Sequence, residues 1–239
     1  MSIKELQKIA SILKIRRYQE YKKADLLQLI NNKYNQPYIE ESTDDYNITP
    51  HEAYVMGLFF ADGNAGIYEW EHTYKASNRP RAYTRTRTSY NWAISNTNLD
   101  FLYKAKGYLE ENYDYEFVVI NDNHNDMYVN HSSAFKLQIN GGSSTINIIE
   151  KYRKLFYDKD KKKKIPIEIL NAPHEQREQF FIGYYDGDGA KTHHSGCQFF
   201  DIDGKIGALG LYYLCRSLGY EVTINHNINK PKIYTLSIT

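Results

Sequence analysis

Two nine-residue stretches, 126 positions apart, constrain this chain more than any other feature. The first runs Val55-Met56-Gly57-Leu58-Phe59-Phe60-Ala61-Asp62-Gly63 and the second Phe181-Ile182-Gly183-Tyr184-Tyr185-Asp186-Gly187-Asp188-Gly189. Each carries small residues four apart, Gly57 with Ala61 and Gly183 with Gly187, a spacing that puts both on one face of a helix. Glycine inside a soluble helix costs about 1 kcal/mol relative to alanine. Its presence in both stretches predicts that the two helices pack against each other with their backbones unusually close. The terminal glycines, Gly63 and Gly189, are expected at C′ positions in the left-handed region.

The segments after each stretch repeat the same order. A helix opens at Thr49, where Glu52 three residues on makes a capping box and Pro50 suits the first helical position. Strands are expected near Gly66–Tyr74 and Arg85–Ser95, a helix near Leu99–Glu111, strands near Tyr115–Ile120 and Ala134–Ile139, and a helix near Thr145–Phe156. After the basic run Lys159–Lys164 the order restarts: a helix from Pro173 to Gly187, a strand near Cys197–Ile202, a helix near Ile206–Leu218, and strands near Glu221–Asn225 and Ile233–Ser237. The pattern is α-β-β-α-β-β-α followed by α-β-β-α-β-β. It is a divergent duplication whose period is too long for a solenoid.

Residues 1–35 stand apart. They hold eight Lys/Arg against three acids, with one apolar stripe at Ile3, Leu6, Ile9, Ala10 and Leu13 and another at Leu26, Leu27 and Ile30. A helix–extended–helix miniature is expected, either a nucleic-acid-binding module or a plain packing hairpin. Residues 36–48, with Pro37, Glu40, Glu41, Asp44 and Asp45, form a linker. Two repeats follow, 49–164 and 165–239.

The chemistry follows from the ends of the two helices. Asp62 and Asp188 each stand where the helix dipole is negative, which disfavours a carboxylate by about 0.3–1 kcal/mol. Side-by-side packing would also bring the two carboxylates together. A divalent cation relieves both repulsions, and carboxylate and helix-end carbonyl oxygens suit Mg²⁺. Two acids with hard metal ions beside a phosphodiester are the layout of metal-assisted hydrolysis.

Composition narrows the rest. With 239 residues, 41% hydrophobic and 25% charged, the chain has the balance of a globular domain. No apolar run approaches the roughly 20 residues of a membrane helix. A net charge of +1 excludes a general basic coat, so nucleic acid would be met by local patches. The two cysteines, Cys197 and Cys215, cannot make a disulfide framework and read as packing residues in an intracellular protein. His193 and His194 with Cys197 lack an evident fourth zinc ligand.

The paired stretches resemble the signature of LAGLIDADG homing endonucleases in the single-chain, two-motif form, over residues 49–239. Lys163-Lys164-Ile165-Pro166 is similar to the family's lysine-before-Ile-Pro segment between the halves. Leu214 to Tyr220 resembles the helix-end pattern of intein-type members, and Asn225 to Tyr234 resembles a second-half hairpin. The pattern from Leu6 to Ile30 resembles SAP and Rho N-terminal modules. The resemblance implies that Asp62 and Asp188 bind metal with the carbonyls of Ala61 and Gly187 as secondary ligands. It implies further that Lys163, or Lys164 in the other register, activates water or steadies charge. Departures are Phe60 in place of the motif's first acid, a compressed second half, and the absence before Thr239 of the family's last helix and second Ile-Pro lysine. Lys191 is the candidate substitute for that lysine.

A DNA-contacting ribbon is expected in the first hairpin, where Lys75, Arg79, Arg81, Arg85 and Arg87 occur without an intervening acid. Arg85, Arg87, Ser89 and Asn91 alternate along one face, with residue types that read guanine and adenine in the major groove. Lys136, Gln138 and Asn140 alternate likewise, and Gln198, Asn225, Asn227 and Lys232 are the second-half candidates. Each alone is equally compatible with an ordinary solvated sheet face.

The expectation is therefore an α+β, pseudo-symmetric nuclease with no membrane segment. As a monomer it would lay a saddle of antiparallel sheets on double-stranded DNA. It would hydrolyse both strands with Mg²⁺, leaving a staggered cut. A non-cleaving nucleic-acid binder, such as an RNA maturase or a degenerate DNA-binding relic, is the alternative.

Overall fold

The computed structural model describes residues 2–12, 18–35, 48–74, 83–121, 134–189, 191–192, 197–226 and 232–239. The chain divides into two compact units, Met1–Asp45 and Tyr46–Thr239.

The first unit holds α1 (Ile3–Ile12), a single 3-10 turn at Tyr18–Glu20, and α2 (Lys23–Asn35). Ser2 and Glu5 form a reciprocal capping box at the start of α1, the Ser2 hydroxyl accepting from the Glu5 N–H and the Glu5 carboxylate from the Ser2 N–H. Leu6, Ala10, Leu26 and Ile30 form its core, with Ile3, Ile9 and Tyr18 packed against them. Leu27, expected in the same stripe, is instead exposed at 41%. Leu26 alone of the adjacent pair points inward, because neighbouring helical positions lie about 100° apart. Leu13 and the acidic stretch with Pro37 lie outside the described residues.

The second unit realises the duplication. Its first half is α3 (Pro50–Asp62), β1 (Gly63–Tyr74), β2 (Tyr83–Asn96), α4 (Leu99–Asn112), β3 (Glu116–Asn121), β4 (Phe135–Asn140) and α5 (Ile146–Phe156). A short α6 (Ile167–Leu170) precedes the second half, which is α7 (His174–Asp188), β5 (Lys191–Thr192), β6 (Gln198–Asp203), α8 (Lys205–Ser217), β7 (Val222–His226) and β8 (Ile233–Ile238). Two antiparallel four-stranded sheets result, ordered β1-β2-β4-β3 and β5-β6-β8-β7, so each half builds the same topology.

Local chemistry accounts for the start of α3. The Thr49 hydroxyl accepts from the Glu52 N–H at 3.1 Å, and Pro50 occupies the first turn. The expected capping box is only half made. Glu52 is buried, and its carboxylate accepts instead from the Tyr113 hydroxyl at 2.7 Å and the Lys151 ammonium at 2.8 Å. A buried carboxylate gains more from a cation and a phenol than from a backbone N–H that can reach solvent.

The exit from α3 also differs from expectation. Gly63 has φ −81° and ψ 157°, an extended conformation open to any residue. It is glycine for want of room, since a Cβ there would lie 2.2 Å from the Phe59 ring. That ring anchors the first half's aromatic core, 4.7 Å from Tyr152, 4.9 Å from Phe156 and 5.6 Å from Trp92 between centroids. Gly189 does take a positive φ, at +63°.

Candidate metal and nucleic-acid site

The site begins with the contact between α3 and α7. A Cβ on Gly57 would stand 1.9 Å from the Phe180 carbonyl oxygen, and one on Gly183 would stand 2.0 Å from that of Tyr54. Each helix thus presses its glycine onto the other's backbone. Further along, a Cβ on Gly187 would be 2.5 Å from the Ala61 Cβ and 3.6 Å from the Asp62 carboxylate. Residue numbers rise together along both helices, so α3 and α7 run parallel and their C-terminal ends meet. Phe60, which replaces an expected acid, is 4% exposed and packs across this seam on Phe180 and Tyr184. Its second-half counterpart Asp186 accepts from the Tyr54 hydroxyl at 2.8 Å, a hydrogen bond across the seam.

The two aspartates share this end but not their surroundings. Asp62 is partly buried and accepts from Asn96 Nδ2 at 3.0 Å. Burial pushes its carboxyl up to about 6, and the Asp188 charge adds to the rise while Asn96 and Lys163 oppose it. Asp188 is exposed and accepts from the Tyr184 hydroxyl, one turn back on its own helix, at 2.7 Å.

Lys163 reaches the same place from the segment joining the halves. Its Nζ donates at 3.0 Å to the carbonyls of Phe59, Phe60 and Ala61, the open C-terminal end of α3. Burial pulls its ammonium down to about 8, against the pull of Asp62 and Asp188 in the other direction. Between the two possible registers, the lysine whose side chain lies here is Lys163; the Lys164 backbone N–H bonds to the Phe156 carbonyl at 2.7 Å.

Two carboxylates and the adjoining helix-end carbonyls are all oxygen ligands, the chemistry Mg²⁺ or Mn²⁺ prefers. A lysine ammonium already sits on the α3 carbonyls, so the pocket accommodates positive charge. Among the described residues no cluster of three His, Cys, Asp or Glu side chains occurs elsewhere or here.

The first sheet presents an outward face, interrupted by the buried Gly66 and Ala93. In β2, Trp92 and Ile94 turn inward, so Arg85, Arg87, Ser89 and Asn91 turn outward. The register sets His72 opposite Arg85, Trp70 opposite Arg87, Tyr68 opposite Ser89 and Gly66 opposite Asn91. Gln138 and Lys136 lie opposite Ala93 and Ser95 and continue that face, as does Asn140, which also donates to Glu116. Tyr68 and Trp70 are exposed at 50% and 45%. Trp70, Arg85 and Arg87 line an open groove.

The second-half candidates do not gather in the same way. Gln198 shares the inward face of Phe200 and donates to the Tyr185 hydroxyl at 3.3 Å, so it is not on the outward face with Asn225. Asn225 lies beside Thr235 and Asp201 on that outward face, and Lys232 is exposed in the turn before β8. Lys75, Arg79, Arg81, Asn227, His193 and His194, and the side chain of Lys191, lie outside the described residues. Cys215 is buried and Cys197 partly so, both as free thiols.

Tyr184, Asn96, Tyr68 and Trp70 are absent from the sequence-derived candidates. Only Tyr184 carried a local signal, its i, i+4 spacing to Asp188.

This is the fold of a homing endonuclease. Among the solved structures it is similar to is one of I-DmoI in complex with DNA and Mn, at TM-score 0.51 and 14% identity, covering 81% of this chain and 91% of that one. Another, of mesophilic variants of the homing endonuclease I-DmoI, gives TM-score 0.50 and 14% identity over 81% and 90% of the two chains. In sequence, 203 residues are 39% identical to a DNA polymerase of Acanthamoeba polyphaga mimivirus, covering 83% of this chain. The chain spans about 10% of that polymerase's length. No protein-family model matches the sequence.

Proposed function

We propose that this chain is a site-specific double-strand DNA endonuclease of the LAGLIDADG homing type. The observation that carries this reading is the glycine-on-carbonyl packing of α3 and α7, which brings the ends bearing Asp62 and Asp188 together beside one lysine. A purely structural helix pair has no use for two repelling carboxylates at one end.

Asp62 and Asp188, with the carbonyls of Ala61 and Gly187, would hold Mg²⁺ or a similar ion. Such an ion would supply polarisation of the phosphodiester and a bound water whose pKa is lowered toward neutral. The chain's own groups do the positioning. Asn96 and Tyr184 fix the two carboxylates, and Lys163 holds positive charge beside both, where a phosphorane-like charge would develop.

The outward face of the first sheet would lie in the major groove. Arg85 and Arg87 suit guanine or phosphate, Asn91 and Gln138 suit adenine, and Lys136 suits phosphate. Tyr68 and Trp70 would add apolar contact. Lys75, Arg79, Arg81, Asn140, Asn225, Asn227 and Lys232 extend the same role. Both halves sit in one chain, so a single copy would suffice as the active form. The basic first unit would add phosphate contacts. No helix among the described residues is long and apolar enough to cross a membrane.

The test is incubation with a randomised duplex library and Mg²⁺, followed by sequencing of the ends. Specific staggered ends, lost in Asp62→Asn and Asp188→Asn while binding persists, are expected. Enrichment of intact DNA or structured RNA without new ends would instead make the protein a non-cleaving binder.

A further inference from the structure

Lys163 belongs to the segment that leaves the first half and enters the second, and its placement depends on both. On the first-half side the segment is a tight turn. Lys161 has φ +58°, the Asp158 N–H donates to the Lys162 carbonyl at 2.9 Å, and Lys163 bridges to Tyr157. The Lys162 N–H also donates to the Asp158 carboxylate at 2.9 Å.

On the other side the segment lies along α8. Gly204, at the helix N-cap, and Gly207 and Gly210 within it follow one another at three-residue spacing, so they form a stripe. A Cβ on Gly207 would stand 2.6 Å from the Lys163 carbonyl oxygen. One on Gly210 would stand 3.1 Å from the Ile165 Cβ, and one on Gly204 3.2 Å from the Lys162 Cβ. Lys162 also pairs with Asp203, just before α8. Two glycines inside one helix each cost about 1 kcal/mol of propensity. They meet the segment at Lys163 and Ile165, the stretch that carries the site lysine.

We propose that Gly207 and Gly210 are positioning residues for Lys163. By admitting the Lys163 carbonyl (at Gly207) and the Ile165 side chain (at Gly210) against α8, they set the height from which the ammonium meets the three α3 carbonyls. The second half thereby fixes the basic group contributed by the first. This rests on the nuclease reading for its catalytic meaning, but the placement itself is measurable without catalysis.

The test uses the full chain with Gly207→Ala, and with Gly107→Ala on open α4 surface as the control. Acetylation of individual lysines by acetic anhydride is followed by mass spectrometry. In the parent protein Lys163 is expected to be protected relative to Lys159 and Lys161. In Gly207→Ala its labelling should rise several-fold, with Gly107→Ala unchanged. Single-turnover cleavage of a library-selected target should fall by about 10- to 100-fold, the cost of a misplacement approaching 1 Å, with DNA affinity kept. In a Lys163→Met background the same Gly207→Ala change should alter the residual rate less than about twofold, as expected when both changes act through one group.

Unchanged labelling of Lys163 overturns the proposal whatever the cleavage rate. So does a loss of cleavage that is equal with and without Lys163, which would mark a merely structural glycine. If Gly207→Ala does not fold, as judged by its circular dichroism melt, Gly210→Ala, with its softer obstruction, is judged by the same criteria. A parent protein that binds DNA without cutting removes the nuclease reading, and the labelling result alone then decides the positioning role.

Discussion

The Tyr184 hydroxyl holds Asp188 at 2.7 Å from one turn back along α7. The matching position before Asp62 is Leu58, which has nothing to donate, and Asp62 is held instead by Asn96 from β2 at 3.0 Å. The two halves therefore orient their acids by different means. Tyr184→Phe should slow cutting of one strand and Asn96→Ala cutting of the other, each by about 10-fold, a typical cost for a lost orienting partner at a metal site. Nicked intermediates resolved on denaturing gels, with opposite strands accumulating in the two variants, are the expected outcome. Equal slowing of both strands by each variant would refute the assignment.

The helix seam sets a stability prediction. Alanine at Gly57 or Gly183 gains about 1 kcal/mol in helix propensity but must displace a carbonyl that stands 1.9 or 2.0 Å from the new Cβ. Net destabilisation of at least about 2 kcal/mol is expected from urea denaturation, at the upper part of the overpacking range. Gly107→Ala, where nothing lies within 4 Å of the added atom, should stabilise by about 0.5–1 kcal/mol.

Acid titration of the metal-free protein gives a third. The Asp62 carboxyl is raised from 3.8 to about 6, chiefly by burial, so the folded chain binds this proton more tightly than the unfolded one. Its favourable contribution is complete below pH 3.8 and is lost as pH rises through about 6. In EDTA, Asp62→Asn should therefore melt higher than the parent at pH 7.5, with the gain closing toward pH 4. Loss of a counter-charge for Lys163 offsets part of it. Added Mg²⁺ should raise the parent's melting temperature at pH 7.5, raise it less below pH 6, and leave Asp62→Asn unmoved.

The outward face predicts a salt signature. Arg85→Ala and Arg87→Ala should each reduce the slope of log affinity against log salt by about 1 if they meet phosphate. An arginine that meets a base should instead relax preference at one position. Trp70→Ala should weaken binding with no change in that slope. If Trp70 and Tyr68 touch thymine methyl groups, replacing thymine by uracil in the selected target should weaken the parent and leave Trp70→Ala nearly unaffected.

The order of elements was readable because two similar stretches and their turn residues punctuate the chain twice. That the helix ends bearing Asp62 and Asp188 meet was readable for the same reason. Facing was harder wherever two apolar residues stand together. In Gln198-Phe199-Phe200 the alternation has two possible phases, and only pairing with Leu236 shows that Phe200 and Gln198 face inward. Leu26 and Leu27 posed the same ambiguity on a helix. Glu52 signalled a capping box, but its carboxylate answers to Lys151, 99 positions away. Asn96 and Lys163 reach Asp62 and the α3 end across 34 and about 100 positions, distances that no local spacing reports.

A carbonyl is present at every position of a helix whatever side chain it bears. Gly57 and Gly183 each rest on such a carbonyl, so what each half demands of the other at the point of closest approach is generic backbone. Exchange of halves between divergent relatives should thus be tolerated at this one point, provided each brings its own glycine, while Phe60, Tyr54 and the Lys162–Ile165 segment still need their matching partners in the second half.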